Sequence, residues 1–500
     1  MKSRNVLIIL ILILSLSLII TGCSVGANSL NPPRDETPGN EEEKAIAPEE
    51  PSEPEEPEFV EEVIPEVVFP ENTLFITGRK VNVREDTAKD AKTLGTLSKG
   101  DQVVLLEEKK DENEEETWVK VSYIDDAGNE VSGWINGNYA SKKWVDLIGE
   151  KYRDLDYSPQ EKIVEYENNP RVKVRGVYVT IWSAAGSRLD SLIEMSKRTD
   201  INAFVIDVKD DRGYMLFPTK AAEKFSPKAN EHATVKDIQA LMKKLKENNI
   251  YTIARIVSFK DPTYTSHNPD KAIIYKDTGK PYANKDGLIW ASPHDRNLWE
   301  YNIEVAKEAA EMGFNEIQFD YVRFPASDGG KLDKHLDYRN ETGESKPGAI
   351  QNYLKYAKEQ LSPKKVYISA DVYGLVGSVE DDMSLGQYWE AISNIVDYIC
   401  PMMYPSHYAN RTYGIPVPDA DPYGTIYHSA KDSVRRNKNM PTPAIIRPWI
   451  QDFTAPWVKG YIKYGDQQIL EQIKALEENG IDEYMLWNPN NKYSEGAVAK

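Results

Sequence analysis

The chain has 500 residues, more than one ordinary domain, and its 40% hydrophobic content is enough for a substantial interior. A net charge of −19 with no strongly basic segment excludes a nucleic-acid partner. With only Cys23 and Cys400 present, a disulfide framework is excluded too; stability must come from a packed core, with Cys400 expected as a buried thiol in an apolar strand.

Residues 1–23 read as a secretion signal, with Lys2 and Arg4 as a positive start and an apolar run from Val6 to Ile20 broken only by serines. The run ends in Ile20-Thr21-Gly22-Cys23, which resembles a bacterial lipobox. The resemblance implies a lipidated Cys23 and a protein held at the extracellular face of the cytoplasmic membrane. An uncleaved membrane anchor is the other reading that the length of the run permits.

From Cys23 to Glu71 there are 15 acidic residues against two basic ones, which places −13 of the total −19 in this stretch. Repeated Glu and Pro with almost no aromatics cannot bury enough surface to fold, so residues 24–72 are expected to form an extended, disordered tether, spanning on the order of 100 Å.

Residues 73–145 change to short alternating strands separated by turn signals. The stretches Lys80-Val81-Asn82-Val83-Arg84, Leu94 to Asp101, Trp118-Val119-Lys120-Val121 and Gly133-Trp134-Ile135 resemble the bacterial SH3 domain. That resemblance implies a small β-barrel and binding to cell-wall peptide or glycan. Trp118, Trp134 and Tyr139 either line such a groove or form the barrel core. Lys109 to Glu116 reads as a charged loop insert.

Residues 172–500 alternate strand and helix signals. Strands are expected at Val174–Trp182, Ala203–Val208, Tyr251–Val257, around Ile317, Val366–Val372, Val396–Met403, Ala444–Ile450 and Glu483–Trp487, with helical stretches between them. Eight strands in alternation over this length predict a (β/α)₈ TIM barrel of the α/β class. A doubly wound sheet would call for a glycine-rich phosphate turn after an early strand, and none is present.

Active sites in such barrels form at the C-terminal strand ends. The first end offers Trp182, the second Asp207, Lys209 and Asp210, the third Arg255, and the fourth Asp320, Tyr321 and Arg323. The fifth offers Asp371 and Tyr373, the sixth Tyr404, the seventh Arg447, Trp449, Gln451 and Asp452, and the eighth Trp487 and Asn488. Aromatic faces suit the C–H faces of sugars, and the polar groups suit hydroxyls. Glycosidic hydrolysis needs one protonated and one ionised carboxyl group. Asp320 and Asp371, on adjacent strands, are the candidate pair, with Arg323 expected to keep Asp320 ionised and an apolar setting expected to make Asp371 the acid.

The segment Phe319 to Pro325, Phe-Asp-Tyr-Val-Arg-Phe-Pro, marks the domain as resembling a family of secreted bacterial glycosyl hydrolases. The resemblance implies a TIM barrel and a polysaccharide or peptidoglycan substrate. More distantly, α-amylase-like barrels carry a nucleophilic Asp on strand four and an acid on strand five, while α-galactosidase-like barrels take the acid from strand six. Strand six here ends in Met403 and Tyr404, which favours Asp371, although strand five carries Asp where the amylase pattern has Glu. His267, His294 and His407 lack metal-ligand spacing, and the small-residue loops Ser183–Gly186 and Asp328–Gly330 lack the Lys-Ser or Lys-Thr of a nucleotide cradle, so neither metal nor cofactor is expected. Two functions remain open, a glycosidase and a catalytically silent glycan-binding lipoprotein using the same mouth.

Overall fold

The computed structural model describes residues 60–110 and 117–500. The expected signal segment, Cys23 and the expected tether up to residue 59 lie outside the described residues, as do residues 111–116 of the charged insert.

Seven antiparallel strands form the first layer: β1 Thr73–Ile76, β2 Lys80–Arg84, β3 Thr93–Ser98, β4 Gln102–Lys110, β5 Thr117–Ile124, β6 Glu130–Asn136 and β7 Ala140–Ser141, hydrogen-bonded in the order β3-β2-β6-β5-β4-β1-β7. The two-residue alternation of β2 turns Val81 and Val83 inward, where they meet Leu74, Ile76, Leu97, Val103, Val119, Val121 and Ile135. Trp118 and Trp134 are buried as well, though outside that cluster, and Tyr139 is exposed, so the two tryptophans present no open face for a groove.

The second part is a closed parallel barrel. Its strands are β8 Arg175–Val179, β9 Ala203–Lys209 and β10 Tyr251–Val257, then, after the two-residue β11 Ile274–Tyr275, β12 Glu316–Asp320. β13 Leu336–Asp337 pairs only with β11 and forms a small ribbon beside the barrel. The barrel continues through β14 Tyr367–Tyr373, β15 Tyr398–Met403, β16 Ile445–Ile446 with β17 Trp449–Gln451, and β18 Tyr484–Trp487. β16 and β17 are two halves of the seventh strand, both pairing with β15 and separated at Arg447-Pro448, where proline cannot donate to the ladder. Pairing of β18 with β8 and of β14 with β15 closes the circle.

Parity along the strands sorts the interior into layers. At the base, Tyr251, Glu316, Tyr367, Tyr398, Arg447 and Glu483 point inward; Arg447 donates to Glu316 and Glu483 at 2.7–2.9 Å and stacks on Tyr398. The middle holds Gln318, whose amide approaches Cys400 Sγ at 3.5 Å and Met485 Sδ at 3.6 Å. At the top stand Tyr178, Asp207, Arg255, Asp320, Asp371, Trp449 and Trp487. The opposite parity, Phe204, Ile206, Ala254, Ile256, Ile317 and Phe319 among others, packs under the surrounding helices.

Two straps reach the barrel before its first strand. Lys162 is buried and donates to Ser393 O and Thr442 O, Asn169 donates to Asn315 O and Lys365 O, and the Arg171 guanidinium lies over Tyr367 and Tyr398. All of these partners sit at N-terminal strand ends, so residues 160–172 close the base. Residues 60–70 follow the same face: Val63 bridges Ile163, Ile64 N–H donates to Lys162 O, Val67 N–H donates to Pro441 O, and Glu61 pairs with Lys365. The folded part thus begins well before residue 73, because the backbone of Val63, Ile64 and Val67, the Glu61–Lys365 pair and the edge-on contact of Phe69 with Phe75 fasten the end of the acidic stretch. The β-module meets the barrel on the helix Pro422–Asn437 and the turn after it: Asn439 Nδ2 donates to Gly100 O, Gln102 Nε2 donates to Asn439 Oδ1, and Lys99 pairs with Glu380.

Candidate active site

β12 and β14 run in register from Glu316↔Tyr367 to Phe319↔Ala370, so the next residues on the two strands, Asp320 and Asp371, share one inward face at the barrel mouth. Beyond Asp320 the chain turns sharply, with Tyr321 held at φ +49°, in the left-handed region that non-glycine residues rarely occupy and that recurs at functional sites. A cavity of about 360 Å³ opens here, bounded by Arg255, Asp320, Tyr321, Arg323, Tyr373, Tyr404, Trp449 and Trp487 of the sequence-derived set, and by Met402, His407 and Tyr408. Gly374 belongs to the same wall; a Cβ there would stand 2.6 Å from Met402 O.

The two carboxyl groups have different surroundings. Asp320 Oδ2 accepts from Arg255 Nε at 2.9 Å and from Arg255 Nη2 at 2.5 Å, and its Oδ1 accepts the Tyr321 N–H. Asp371 is 1% exposed; its Oδ1 accepts one bond, from Trp449 Nε1 at 2.8 Å, and its Oδ2 has no protein partner. Burial raises the Asp371 pKa well above the usual carboxylate range, the negative charge of Asp320 raises it further, and Arg255 and the Trp449 bond pull it back down. The result is one carboxylate clamped by donors and one carboxyl group held towards its neutral form, the division of labour that acid–base chemistry requires.

Arg255, and not Arg323, is the cation on Asp320. It spans Asp320 and Asp207, and Asp207 also accepts from Tyr178 OH. Tyr178 stacks on Trp487 at 4.0 Å, and Trp449 meets Trp487 edge-on at 5.5 Å, forming an aromatic floor around the clamp. The Arg323 guanidinium lies between Trp290, Tyr321 and Tyr373. Beyond the mouth, Phe453 touches Tyr404 and His407 and stacks on Trp457, which is 67% exposed.

Seven predicted site residues stand elsewhere. In β9 the pairing with β10 passes from Arg255↔Asp207 to Ile256↔Lys209, skipping Val208; this irregularity reverses the parity and sends Lys209 outward to Asp261 and Asn302. Asp210 closes a turn by accepting from the N–H groups of Arg212 and Tyr214, and burial pushes its pKa up to about 7. Arg447 is inward but two residues below Trp449, in the base layer, where it serves Glu316 and Glu483. Gln451 braces Asp419 and the Ser406 N–H, Asp452 accepts from Ser494, and Asn488 donates to Asp452 O, all of them tying βα loops together. Trp182 sits exposed on the short helix Ile181–Ala184 and does not line the cavity. Tyr178, Met402, His407 and Tyr408 were missed; counting by twos up from Gly176 would have found Tyr178, but the other three depend on how the loop after β15 folds back. Among the described residues, no group of three His, Cys, Asp or Glu side chains is placed to hold a metal ion.

No curated protein matches the chain. Among solved structures it is similar to a hypothetical protein from Ruminiclostridium thermocellum, at 36% identity over 39% of this chain and 97% of that one, with a TM-score of 0.34. It is also similar to the PgaB (BpsB) glycoside hydrolase domain from Bordetella bronchiseptica, at 13% identity over 66% and 99% of the two chains, TM-score 0.46. A third is an α-galactosidase from Thermus thermophilus, at 12% identity over 84% and 83%, TM-score 0.40. Residues 79–141 match the bacterial SH3 domain family. Residues 176–493, which carry the barrel and every cavity-lining side chain, match the family described as "putative glycosyl hydrolase domain", and the chain belongs to that family.

Proposed function

We propose that the protein is a retaining glycoside hydrolase acting on an extracellular polysaccharide, with Asp320 as nucleophile and Asp371 as general acid and base. The observation that carries this reading is the contrast at the mouth: Asp320 held by Arg255 and a backbone N–H, Asp371 buried with a single hydrogen bond and a raised pKa. Neighbouring strands lie about 4.8 Å apart, so carboxyl groups on one face of adjacent strands fall in the separation class of retaining enzymes, about 5 to 5.5 Å. Asp320 attacks the anomeric carbon while Asp371 gives its proton to the departing glycosidic oxygen. Asp371, now ionised, takes a proton from water, which attacks the glycosyl ester and releases Asp320. The exposed Trp457, stacked on half-buried Phe453 outside the cavity, supports a substrate several sugars long.

The Glu- and Pro-rich tether and the lipobox-like Ile20-Thr21-Gly22-Cys23 support placement at the outer face of the cytoplasmic membrane, the β-module then facing the wall. Cys23→Ser should abolish fatty-acid labelling; equal labelling of the variant would remove this part of the proposal. For the chemistry, Asp371→Ala with a glycoside carrying an activated leaving group should accumulate a sugar ester on Asp320, seen by peptide mass spectrometry. A sugar found on another residue would overturn the assignment. Glycan binding with no turnover of any substrate would favour the silent-binder reading.

A further inference from the structure

The two arginines that line the cavity are treated differently by the protein. Arg255 is neutralised by Asp207 and Asp320. Arg323 is 6% exposed, yet among the described residues its only hydrogen bond is from Nη1 to Phe324 O at 2.9 Å, and no carboxylate of those residues stands within ion-pair distance of it. Its guanidinium is instead flanked by Trp290, Tyr321 and Tyr373, at 4.7, 5.1 and 4.6 Å from their ring centres. Aromatic faces compensate a buried cation only in part, and an ion removed from water without a counter-charge is costly. The indole Nε1 of Trp290, one of the flanking rings, is also buried without an acceptor. A cation without a counter-charge thus lines the cavity, beside a buried ring whose own donor lacks an acceptor, and a guanidinium presents its remaining N–H groups in the fork that matches a carboxylate or phosphate.

Building on the glycosidase reading, we propose that the sugar ring bound against Arg323 bears an oxyanion, a carboxylate or a phosphate, so that the substrate is an anionic glycan. The oxyanion supplies the counter-charge that the fold withholds, and the flanking rings fix the guanidinium plane so that recognition is directional. A neutral glycan would leave Arg323 desolvated and unpaired beneath it, so the same residue acts against neutral substrates.

The test uses the full chain carrying Asp371→Asn, which blocks turnover while leaving Arg323 and the rings that flank it unchanged. The probes are uronate-containing oligosaccharides, each beside its carboxyl-reduced neutral twin, and phosphorylated oligosaccharides, each beside its dephosphorylated twin, titrated calorimetrically. One anionic set should bind at least about tenfold more tightly than its neutral twins, as a charge-assisted bidentate contact implies. The set that does so identifies the oxyanion. Adding Arg323→Gln should erase the difference, and Arg323→Lys should retain part of it. If Arg323→Gln fails to fold, the comparison of charged and neutral twins on the protein that retains Arg323 decides alone. Neutral twins bound as tightly as the anionic forms would overturn the inference and leave the glycosidase reading standing. Binding of no glycan of either kind would bring down both.

Discussion

Trp449→Phe removes the one hydrogen bond that the described residues give the Asp371 carboxyl group while leaving an aromatic ring against Trp487. The indole N–H, 2.8 Å from Oδ1, stabilises the ionised form and therefore lowers a pKa that burial and Asp320 have raised. A hydrogen bond to a charged group is worth about 1.5–3 kcal/mol, and one pKa unit is about 1.4 kcal/mol, so its loss should move the Asp371 pKa up by about 1–2 units. Because Asp371 acts in its protonated form, the basic limb of the kcat/KM profile should move to higher pH by that amount, whatever happens to its height. The assay is the pH dependence of kcat/KM on a small aryl glycoside for the wild type and the variant. A basic limb that stays in place or moves down would refute Asp371 as the acid. The same group leaves a mark on stability. With its folded pKa above the unfolded value, the native state holds a proton that the unfolded chain has released, so stability falls as pH rises between the two values, by about 1.4 kcal/mol per pH unit. Asp371→Asn should lack that fall and so gain in Tm relative to wild type on going from pH 4 to pH 8, even though it is inactive.

Arg447→Met should cost about 3–5 kcal/mol in urea unfolding, because Glu316 and Glu483 are left as buried carboxylates without a cation; a loss below about 1 kcal/mol would show that the base layer tolerates them. Trp457→Ala should raise KM for long oligosaccharides about three- to tenfold, the worth of one stacking contact, and leave a small aryl glycoside untouched; equal effects on both would place Trp457 outside the substrate path. A truncation beginning at Val172 should fail to fold, because it removes Lys162, Asn169 and Arg171 from the barrel base, whereas one beginning at Lys143 should stay folded, with circular dichroism and thermal melts as the readout. A cooperative melt of the Val172 truncation at the full-length temperature would contradict the role given to the strap.

Barrel topology was legible because each strand is a β-branched or apolar run of the right length, and because the run to Asp320 carries both parity and a terminal carboxylate. The carboxyl pair followed from the same parity count on neighbouring strands. Parity is also where the reading failed. It is local, so the skipped residue at Val208, which sends Lys209 outward, leaves no trace in a string of valines and charges. The seventh strand end was also read as one stretch from Arg447 to Asp452, which placed Arg447 at the rim although it lies two residues below Trp449, in the base layer with Glu316 and Glu483. The partner of Asp320 was sought three residues away, at Arg323, but strands adjacent in space set the pairing, and Arg255 lies 65 residues back in the chain. Residues 60–70 were read by their composition, whereas backbone hydrogen bonds at Ile64 and Val67 and the pairing of Glu61 with Lys365 hold them, and composition does not reveal such contacts.

The chain enters the folded unit at the barrel base, where Glu61, Ile64 and Val67 are fastened, while the cavity opens at the opposite end. This polarity has a practical side. Beads or sensor chips coupled through the N-terminus would load the protein with its mouth facing the solution, and long polymers could thread in without meeting the support. Coupling through exposed lysines of the loop that carries Trp457, such as Lys459 and Lys463, would turn the mouth towards the matrix. Comparing turnover of a soluble polymer by the two preparations would separate an access effect from any change in the chemistry itself.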